Sequence, residues 1–457
     1  MKPHRVISVM CLSLAVGGCT MIPQYERPDA TVAPAFPGAS AANTGVPAVE
    51  IRWREFFAED RLKELVGLAL ANNLDLRVAA LRVEQSQAQY RIARSAFFPS
   101  LFGSGSFSRS RALDRTSESW SASLGSTAYE VDLFGRVRSL NRQALEKFFA
   151  TEEGRRGVQL SLVAEVASQY FGLRQAEEQV ALAQQTLATV EEAFRLNQAT
   201  FDAGASTELD LRTAEGQVQT ARVNLLTFER QAAQAQNALV LLIGRPVPEE
   251  LPAPRPFGET NVVMDVPPGL PSELVLRRPD ILEAEHSLKA ANANIGAARA
   301  AFFPSLKLTG SIGTTSSDFE KLFGSGTGVW SFSPQVTIPI FTGGQNRADL
   351  DAAKVGAQIE VATYQKAIQT AFREVADALV ARATFAEELG ARAALIEAQE
   401  KRFELANARY RQGEDNYLTV LSAQQDLYSA RQGRIQAQYQ KLNSQISLYR
   451  ALGGGWQ

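Results

Sequence analysis

The chain has 457 residues, 45% of them hydrophobic, and nearly balanced charge, with 47 Lys and Arg against 49 Asp and Glu. It lacks the global basic field of a nucleic-acid binder, so no nucleic-acid partner is expected. Two histidines (His4, His286) and two cysteines (Cys11, Cys19) are too few for a His/Cys zinc site, an iron–sulfur cluster or a disulfide framework, and no metal, cofactor or enzymatic activity is expected.

Residues 1–18 read as a secretory signal peptide: Lys2 and Arg5 form a positive start, and Val6 to Val16 is an apolar run too short to cross a bilayer. The run ends Val16-Gly17-Gly18-Cys19, which looks like a bacterial lipobox, with an aliphatic residue and two small residues before Cys. Cys19 is the expected lipidation site, with its sulfur acylated and buried methylenes strengthening membrane attachment. Thr20, where an Asp would otherwise signal retention, permits sorting to the outer membrane by resemblance to bacterial lipoproteins. Residues 19–50, rich in Pro, Ala, Gly and Thr, read as an extended strap. No later stretch is long and apolar enough for a transmembrane helix, so if the mature chain spans a membrane it does so with strands.

Prolines punctuate the rest. Nine fall between Pro246 and Pro279, marking 245–272 as a linker, while 100–245 and 340–457 contain none. Proline inside a helix costs about 3 kcal/mol, so the later parts of these proline-free stretches, rich in Ala, Gln, Glu, Leu and Arg, are expected to be helical.

The flanking halves, 51–244 and 273–457, are expected to be tandem repeats. Ser95-Ala-Phe-Phe-Pro-Ser-Leu101 matches Ala300-Ala-Phe-Phe-Pro-Ser-Leu306 at an offset of 205. Phe134 matches Phe341 at 207, and Phe201-Asp-Ala-Gly204 matches Tyr410-Arg-Gln-Gly413 at 209. Each half is read as a helix, a β-hairpin (about 97–133 and 302–341) and a long helical hairpin (about 136–243 and 345–452). Val166, Leu173, Val180, Leu187, Phe194 and Phe201 are each seven apart, as are Val361, Ile368, Val375, Arg382, Leu389, Ile396, Phe403 and Tyr410. A sustained seven-residue repeat specifies a coiled-coil seam. A helix from Val137 to Phe201 spans about 100 Å at 1.5 Å per residue, more than a compact domain needs.

In the strand segments Leu306, Leu308 and Ile312 alternate with Ser305, Lys307, Thr309 and Ser311. Trp330, Phe332, Val336, Ile338 and Ile340 alternate with Ser331, Ser333, Gln335 and Thr337. Leu101 and Phe107 alternate with serines, whereas Trp120–Leu133 alternates less cleanly. One apolar face and one Ser/Thr/Gly face suit a membrane barrel, with Phe97, Phe98, Phe302 and Phe303 as interfacial aromatics at the strand starts. A half-buried soluble sheet is the alternative on pattern alone. Four strands per chain cannot close a barrel, so oligomerisation is expected.

These residues resemble the TolC-type outer-membrane efflux proteins, in particular the lipidated OprM-like branch. The resemblance covers nearly the whole chain, including Trp53 to Phe57, Ala71 to Leu76, Asp132-Leu-Phe-Gly-Arg136, Arg277-Arg-Pro-Asp-Ile281, Ala298 to Ser305, Gly413 to Leu418 and Ala451 to Gly455. It implies a fold of mixed α and membrane β structure: a homotrimeric 12-stranded β-barrel, four strands per chain, continued by a coiled-coil α-helical barrel in the periplasm. It further implies a lipid-anchored outer-membrane exit duct of a tripartite pump, docked on a periplasmic adaptor protein and fed by an inner-membrane transporter of the resistance–nodulation–division class.

The expected functional site is the periplasmic aperture at two helix–turn–helix tips, Phe201–Leu211 and Tyr410–Leu421. Gly204 and Gly413 suit the turns. Ser206 or Thr207, and Asp415 or Asn416, suit the caps of the return helices. By resemblance, Leu418 narrows the aperture, and Tyr410 and Arg411 tether neighbouring helices in the closed state. Asp202, Glu208 and Asp210 are possible partners, and Asp415 is either a cap or part of the gate. Ser422 stands where the family often has an axis-facing Asp, and Asp426 lies one further turn along. His286 is read as structural, and the pairs Glu152-Glu153 and Glu387-Glu388 as solvated helix faces rather than catalytic carboxylates. The alternatives are a non-conducting coiled-coil lipoprotein, or the same duct serving protein secretion or metal export.

Overall fold

The computed structural model describes residues 20–29, 32–33, 36, 50–113, 115–258 and 277–455. The expected signal peptide, Cys19, much of the strap and residues 259–272 of the expected linker lie outside this set. The chain is mostly helical with one small antiparallel sheet. In order the elements are α1 (Trp53–Phe56), α2 (Asp60–Asn72), α3 (Leu74–Ser95), β1 (Phe102–Ala112), β2 (Arg115–Val131), α4 (Arg136–Asp202), α5 (Glu208–Ile243), α6 (Pro279–Ala300), β3 (Ser305–Ser316), β4 (Gly328–Thr337), α7 (Gln345–Arg411) and α8 (Tyr417–Ala451). No described helix is long and apolar enough to cross a membrane.

Two compact units emerge. One comprises residues 1–30, 81–153 and 282–367, the other 31–80, 154–281 and 368–457. Each draws on both expected halves, because α4 and α7 contribute residues to both units.

The first unit holds the sheet, in the order β1-β2-β3-β4. Phe107 lies opposite Trp120, Leu124 opposite Ile312, Ile312 opposite Trp330 and Leu306 opposite Val336. Because side chains alternate along a strand, these residues share one face. It is exposed in the single chain, with Ile312 at 67% and Trp330 at 78%. The opposite face is a field of hydroxyls. Ser104 pairs with Ser123 at 2.9 Å, Ser106 with Ser121 at 2.8 Å, Ser110 with Ser117 at 2.9 Å and Ser311 with Ser331 at 2.8 Å. Phe102 and Val329 are apolar exceptions on it. The weak alternation of Trp120–Leu133 has a structural cause. A bulge between Ser126 and Tyr129 inserts one residue, and Ala128 adopts φ 53°, so the parity of β2 switches partway along it.

Two expectations are corrected here. Phe97, Phe98, Phe302 and Phe303 precede the strands and lie in the turns that close α3 and α6, where Phe97 N–H bonds to Arg94 O and Phe302 N–H to Arg299 O. Phe303 stacks on Phe134 at 4.7 Å. Glu153 is not on a solvated face: Glu146, Ala150 and Glu153, spaced along one side of α4, are all buried.

The described start of the strap lies in the same unit, against α6. Asn292 donates to Pro23 O at 2.9 Å, and Ile22 packs so closely over Gly296 that a Cβ there would meet Ile22 Cγ1 at 2.7 Å. Arg27 grips the buried Glu285 with Nη2 at 2.8 and 2.9 Å from its two oxygens, Lys289 adds a contact at 2.9 Å, and Tyr25 donates at 3.2 Å. Beside them His286 Nδ1 lies 2.7 Å from Glu146 Oε2, a structural pairing.

In the second unit, a core of Phe56, Phe57, Leu62, Val66, Val166, Tyr170, Phe171, Ile243, Ile446 and Tyr449 joins α1, α2, α4, α5 and α8. Its polar groups are satisfied. Tyr449 Oη donates to Ile51 O at 2.5 Å, and the buried Arg278 bonds Ala451 O, Asp280 and Glu374 at 2.7, 2.7 and 2.8 Å. A buried guanidinium is tolerated only when its donors are matched in this way.

Candidate functional site

The two helical tips share one backbone plan within the second unit. α4 ends at Asp202, Gly204 takes φ 77°, and Ala205 N–H bonds back to Thr200 O at 2.8 Å. α7 ends at Arg411, Gly413 takes φ 76°, and Glu414 N–H bonds to Arg409 O at 3.0 Å. A positive φ is cheap for glycine, so each chain reversal is written into a single residue.

Each return helix is then capped by a side chain. Thr207, not Ser206, caps α5: its hydroxyl accepts from Asp210 N–H, while the Asp210 carboxylate accepts from Thr207 N–H at 3.3 Å. Asn416 caps α8, accepting from Thr419 N–H at 3.1 Å. Asp415 supports the cap instead of forming it, accepting from Asn416 N–H at 2.9 Å and Thr419 Oγ1 at 3.0 Å. These hydrogen bonds hold its carboxyl below the ordinary range.

Tyr410 and its expected partners each have contacts inside the single chain. Within the chain the Tyr410 hydroxyl donates to Asn197 Oδ1 at 3.4 Å, and its ring lies 5.5 Å from that of Tyr417. Asp210 is committed to its capping box, Glu208 lies 3.5 Å from Arg212, and Asp202 accepts from Gln198 at 2.9 Å. Burial raises the Tyr410 phenol, and the Asp210 charge raises it further. Arg411 is exposed and makes no ion pair among the described residues. Leu418, in the first turn of α8, is 57% exposed. Ser422 and Asp426 are both held from α7 by Arg402, whose Nη2 lies 3.3 Å from Ser422 Oγ and whose Nη1 contacts Asp426.

The sequence model of the outer membrane efflux protein family matches residues 65–245 and again residues 270–454. The chain belongs to that family. It is 45% identical over 463 residues to the toluene efflux pump outer membrane protein TtgC of Pseudomonas putida, covering 99% of this chain and 96% of that one. It is 42% identical over 463 residues to outer membrane protein OprJ of Pseudomonas aeruginosa, covering 100% and 97%. Among solved structures it is similar to the open state of the Neisseria gonorrhoeae MtrE outer membrane channel, with a TM-score of 0.89, 43% identity and coverage of 96% and 99%. The chain is thus an outer-membrane efflux protein, and its place is the bacterial outer membrane. Its family is one of channels, not enzymes. Among the described residues no cluster of His, Cys, Asp and Glu could hold a metal ion.

Three tip residues of this efflux protein escaped the sequence reading. Asn197 is 2% exposed and sits three residues after Phe194 of the heptad ladder, so a polar residue at a seam position was the available signal. Leu209 stands 209 residues before Leu418, follows its cap Thr207 as Leu418 follows Asn416, and is 74% exposed; the repeat offset alone pointed to it. Arg402 carried no local signal, because its partners lie on the return helix.

Proposed function

We propose that three copies of this efflux protein assemble into a trimer whose sheets close into a 12-stranded barrel, with the long helical hairpins continuing it as a coiled-coil tunnel. The observation that carries the reading is the sheet. One face is apolar and exposed, the other is hydroxyl-lined, and among the described residues β1 and β4 each have one strand neighbour. In lipid an unpaired strand edge costs several kcal/mol per backbone group, so the sheet requires further copies beside it. Eight strands would enclose side chains alone, whereas twelve leave room for a passage. Exposed apolar side chains on α3, including Val78, Leu81 and Ile92, suit packing between copies. The two-repeat plan is supported by equivalent bridges between hairpin arms: Arg222–Glu191 at 3.1 Å and Arg431–Glu400 at 2.7 Å, each partner displaced by 209 residues.

The trimer is a passive exit duct, lipid-anchored through Cys19. It receives cargo from an inner-membrane transporter of the resistance–nodulation–division class through a periplasmic adaptor. The name of TtgC, a toluene pump component, and that of the similarly related antibiotic efflux pump protein ArpC of P. putida support small, weakly polar toxic compounds as cargo. The aperture lies at the tips. Leu418 projects at the narrowest point, and Tyr410, Arg411, Asp415 and Ser422 set the packing around it. Adaptor binding shifts the tips between packed arrangements.

Single-channel conductance in planar bilayers tests both parts. The trimer is expected to pass a small, closed-biased current that rises severalfold in Leu418→Ala. Equal currents would remove Leu418 from the gate. No current from membrane-inserted trimer of either protein would favour a structural lipoprotein.

A further inference from the structure

We infer that Lys307 forms a ring of positive charge at the helical end of the barrel, so that this neck passes neutral and anionic solutes in preference to cations. The inference rests on the barrel reading and adds to it a specificity-determining residue.

Charge is unevenly distributed along the hydroxyl face of the sheet. Along β1 from Phe102 to Ser110, and along the facing residues of β2 from Ser117 to Gly125, that face carries no ionisable side chain. The same holds on β4, where it presents Val329, Ser331, Ser333, Gln335 and Thr337. Charge appears at the two ends. Arg115 sits beside the β1–β2 turn. At the other end, where all four strands meet the helices, Glu130 and Lys307 lie directly opposite each other across β2 and β3.

Those two would be expected to neutralise each other, and they do not. Both oxygens of Glu130 are taken by Arg136, with Nε at 2.7 Å and Nη2 at 2.5 Å. A guanidinium gripping a carboxylate with two parallel bonds outcompetes an ammonium on a flexible stem. Asp132, the next carboxylate, is committed too. It accepts from Arg138 Nε at 2.9 Å and from the first backbone N–H groups of α4 at 3.1 and 2.9 Å. Lys307 is exposed, makes no ion pair or hydrogen bond among the described residues, and opens onto a cavity of about 390 Å³ shared with Glu130, Asp132 and Arg136. With both local carboxylates satisfied by arginines, each chain contributes one uncompensated positive charge to the polar face.

In a trimer three such charges face one aqueous passage. Three like charges about 10 Å from an ion in water concentrate a monovalent counterion roughly fivefold at low salt, an effect that fades as the screening length shrinks. A neutral solute is indifferent to the ring, and a cation meets a barrier where Lys307 stands at the helical end of the hydroxyl face.

The test is reversal potential across a tenfold KCl gradient, with wild type, Lys307→Gln and Lys307→Glu reconstituted in planar bilayers as heat-sensitive trimers. Lys307 is exposed and unpaired, so both variants keep the packed sheet. The expected result is a graded change, with the chloride-to-potassium permeability ratio falling severalfold from wild type to Lys307→Gln and further in Lys307→Glu, and the differences collapsing at high salt. Equal reversal potentials in conducting channels would overturn the assignment to Lys307 and leave the duct standing. Absence of current from all three inserted trimers would overturn the duct and the filter together.

Discussion

The grip of α6 on the strap gives the most direct test of how the N-terminal segment is fixed. Glu285 is 3% exposed at its side chain and holds Arg27, Lys289 and Tyr25, whereas Arg27 is 42% exposed. Glu285→Gln removes the charge and one acceptor while keeping the shape. Breaking a buried ion pair from one side costs about 3–5 kcal/mol. Arg27 lies near the surface and regains water when released, so the net cost here is about 2–3 kcal/mol. That energy falls on local attachment of the strap, since residues 20–29 make few other polar contacts with α6. One decade of equilibrium constant corresponds to about 1.4 kcal/mol, so the open fraction of the strap should rise roughly 30- to 140-fold. Limited proteolysis of the detergent-solubilised protein, read by mass spectrometry for cuts within residues 20–29, reports that fraction directly. Arg27→Ala should show a smaller rise, and the double variant no more than Glu285→Gln alone. A cleavage rate within threefold of wild type in Glu285→Gln would refute the reasoning.

Two further outcomes follow from the same physical terms. Burial would raise the carboxyls of Glu285 and Glu146, but their bonds to Lys289, Arg27 and His286 outweigh it and hold both below the ordinary value of 4.5. A depressed folded value stabilises above the unfolded one, so strap protection should be intact at pH 7 and lost as pH falls below about 4.5, with a shallower dependence in Glu285→Gln; a flat profile in wild type would contradict this. Thr207→Ala removes the capping box of α5 and should cost about 1 kcal/mol, seen as faster hydrogen exchange confined to the first turn of that helix.

Much of the fold was legible because the sequence states it periodically. The seven-residue ladders mark α4 and α7, and the glycines followed by Thr207 and Asn416 mark the reversals. Period-two alternation marks β3 and β4. β2 was obscure for a definable reason: an inserted residue at the bulge reverses its parity, and a fixed alternation rule then sorts Tyr129, Glu130 and Val131 onto the wrong face. The tip was legible in position, while the local bonds of its charged side chains were not. Asp202, Glu208 and Asp210 look like free charges in one dimension, yet each is consumed within its own tip by an element only a few residues away. Charge partners across helices, such as Arg402 with Asp426, depend on the register of two helices about each other, which single-chain periodicity does not specify.

The equivalence of the tips sharpens the question of what closes the aperture. Leu209 and Leu418 occupy the same place in the two hairpins, and both are largely exposed. The surroundings differ. Arg402 ties α7 to Ser422 and Asp426 of α8, whereas the positions 209 residues earlier are Ala193, Thr213 and Gln217, which cannot form such a bridge. The first tip is therefore held by apolar packing of Val190 against Val218 and Ala221 and by the Arg222–Glu191 bridge, without a tie of this kind near its turn. If two rings of leucine close the passage, Leu209→Ala should raise single-channel conductance as Leu418→Ala does, and the double variant should exceed either. Arg402→Ala should lengthen open times in the wild-type background by freeing the second tip alone. A Leu209→Ala channel indistinguishable from wild type would confine the constriction to the second tip, and the sequence repeat would then be a repeat of scaffold without a repeat of gate.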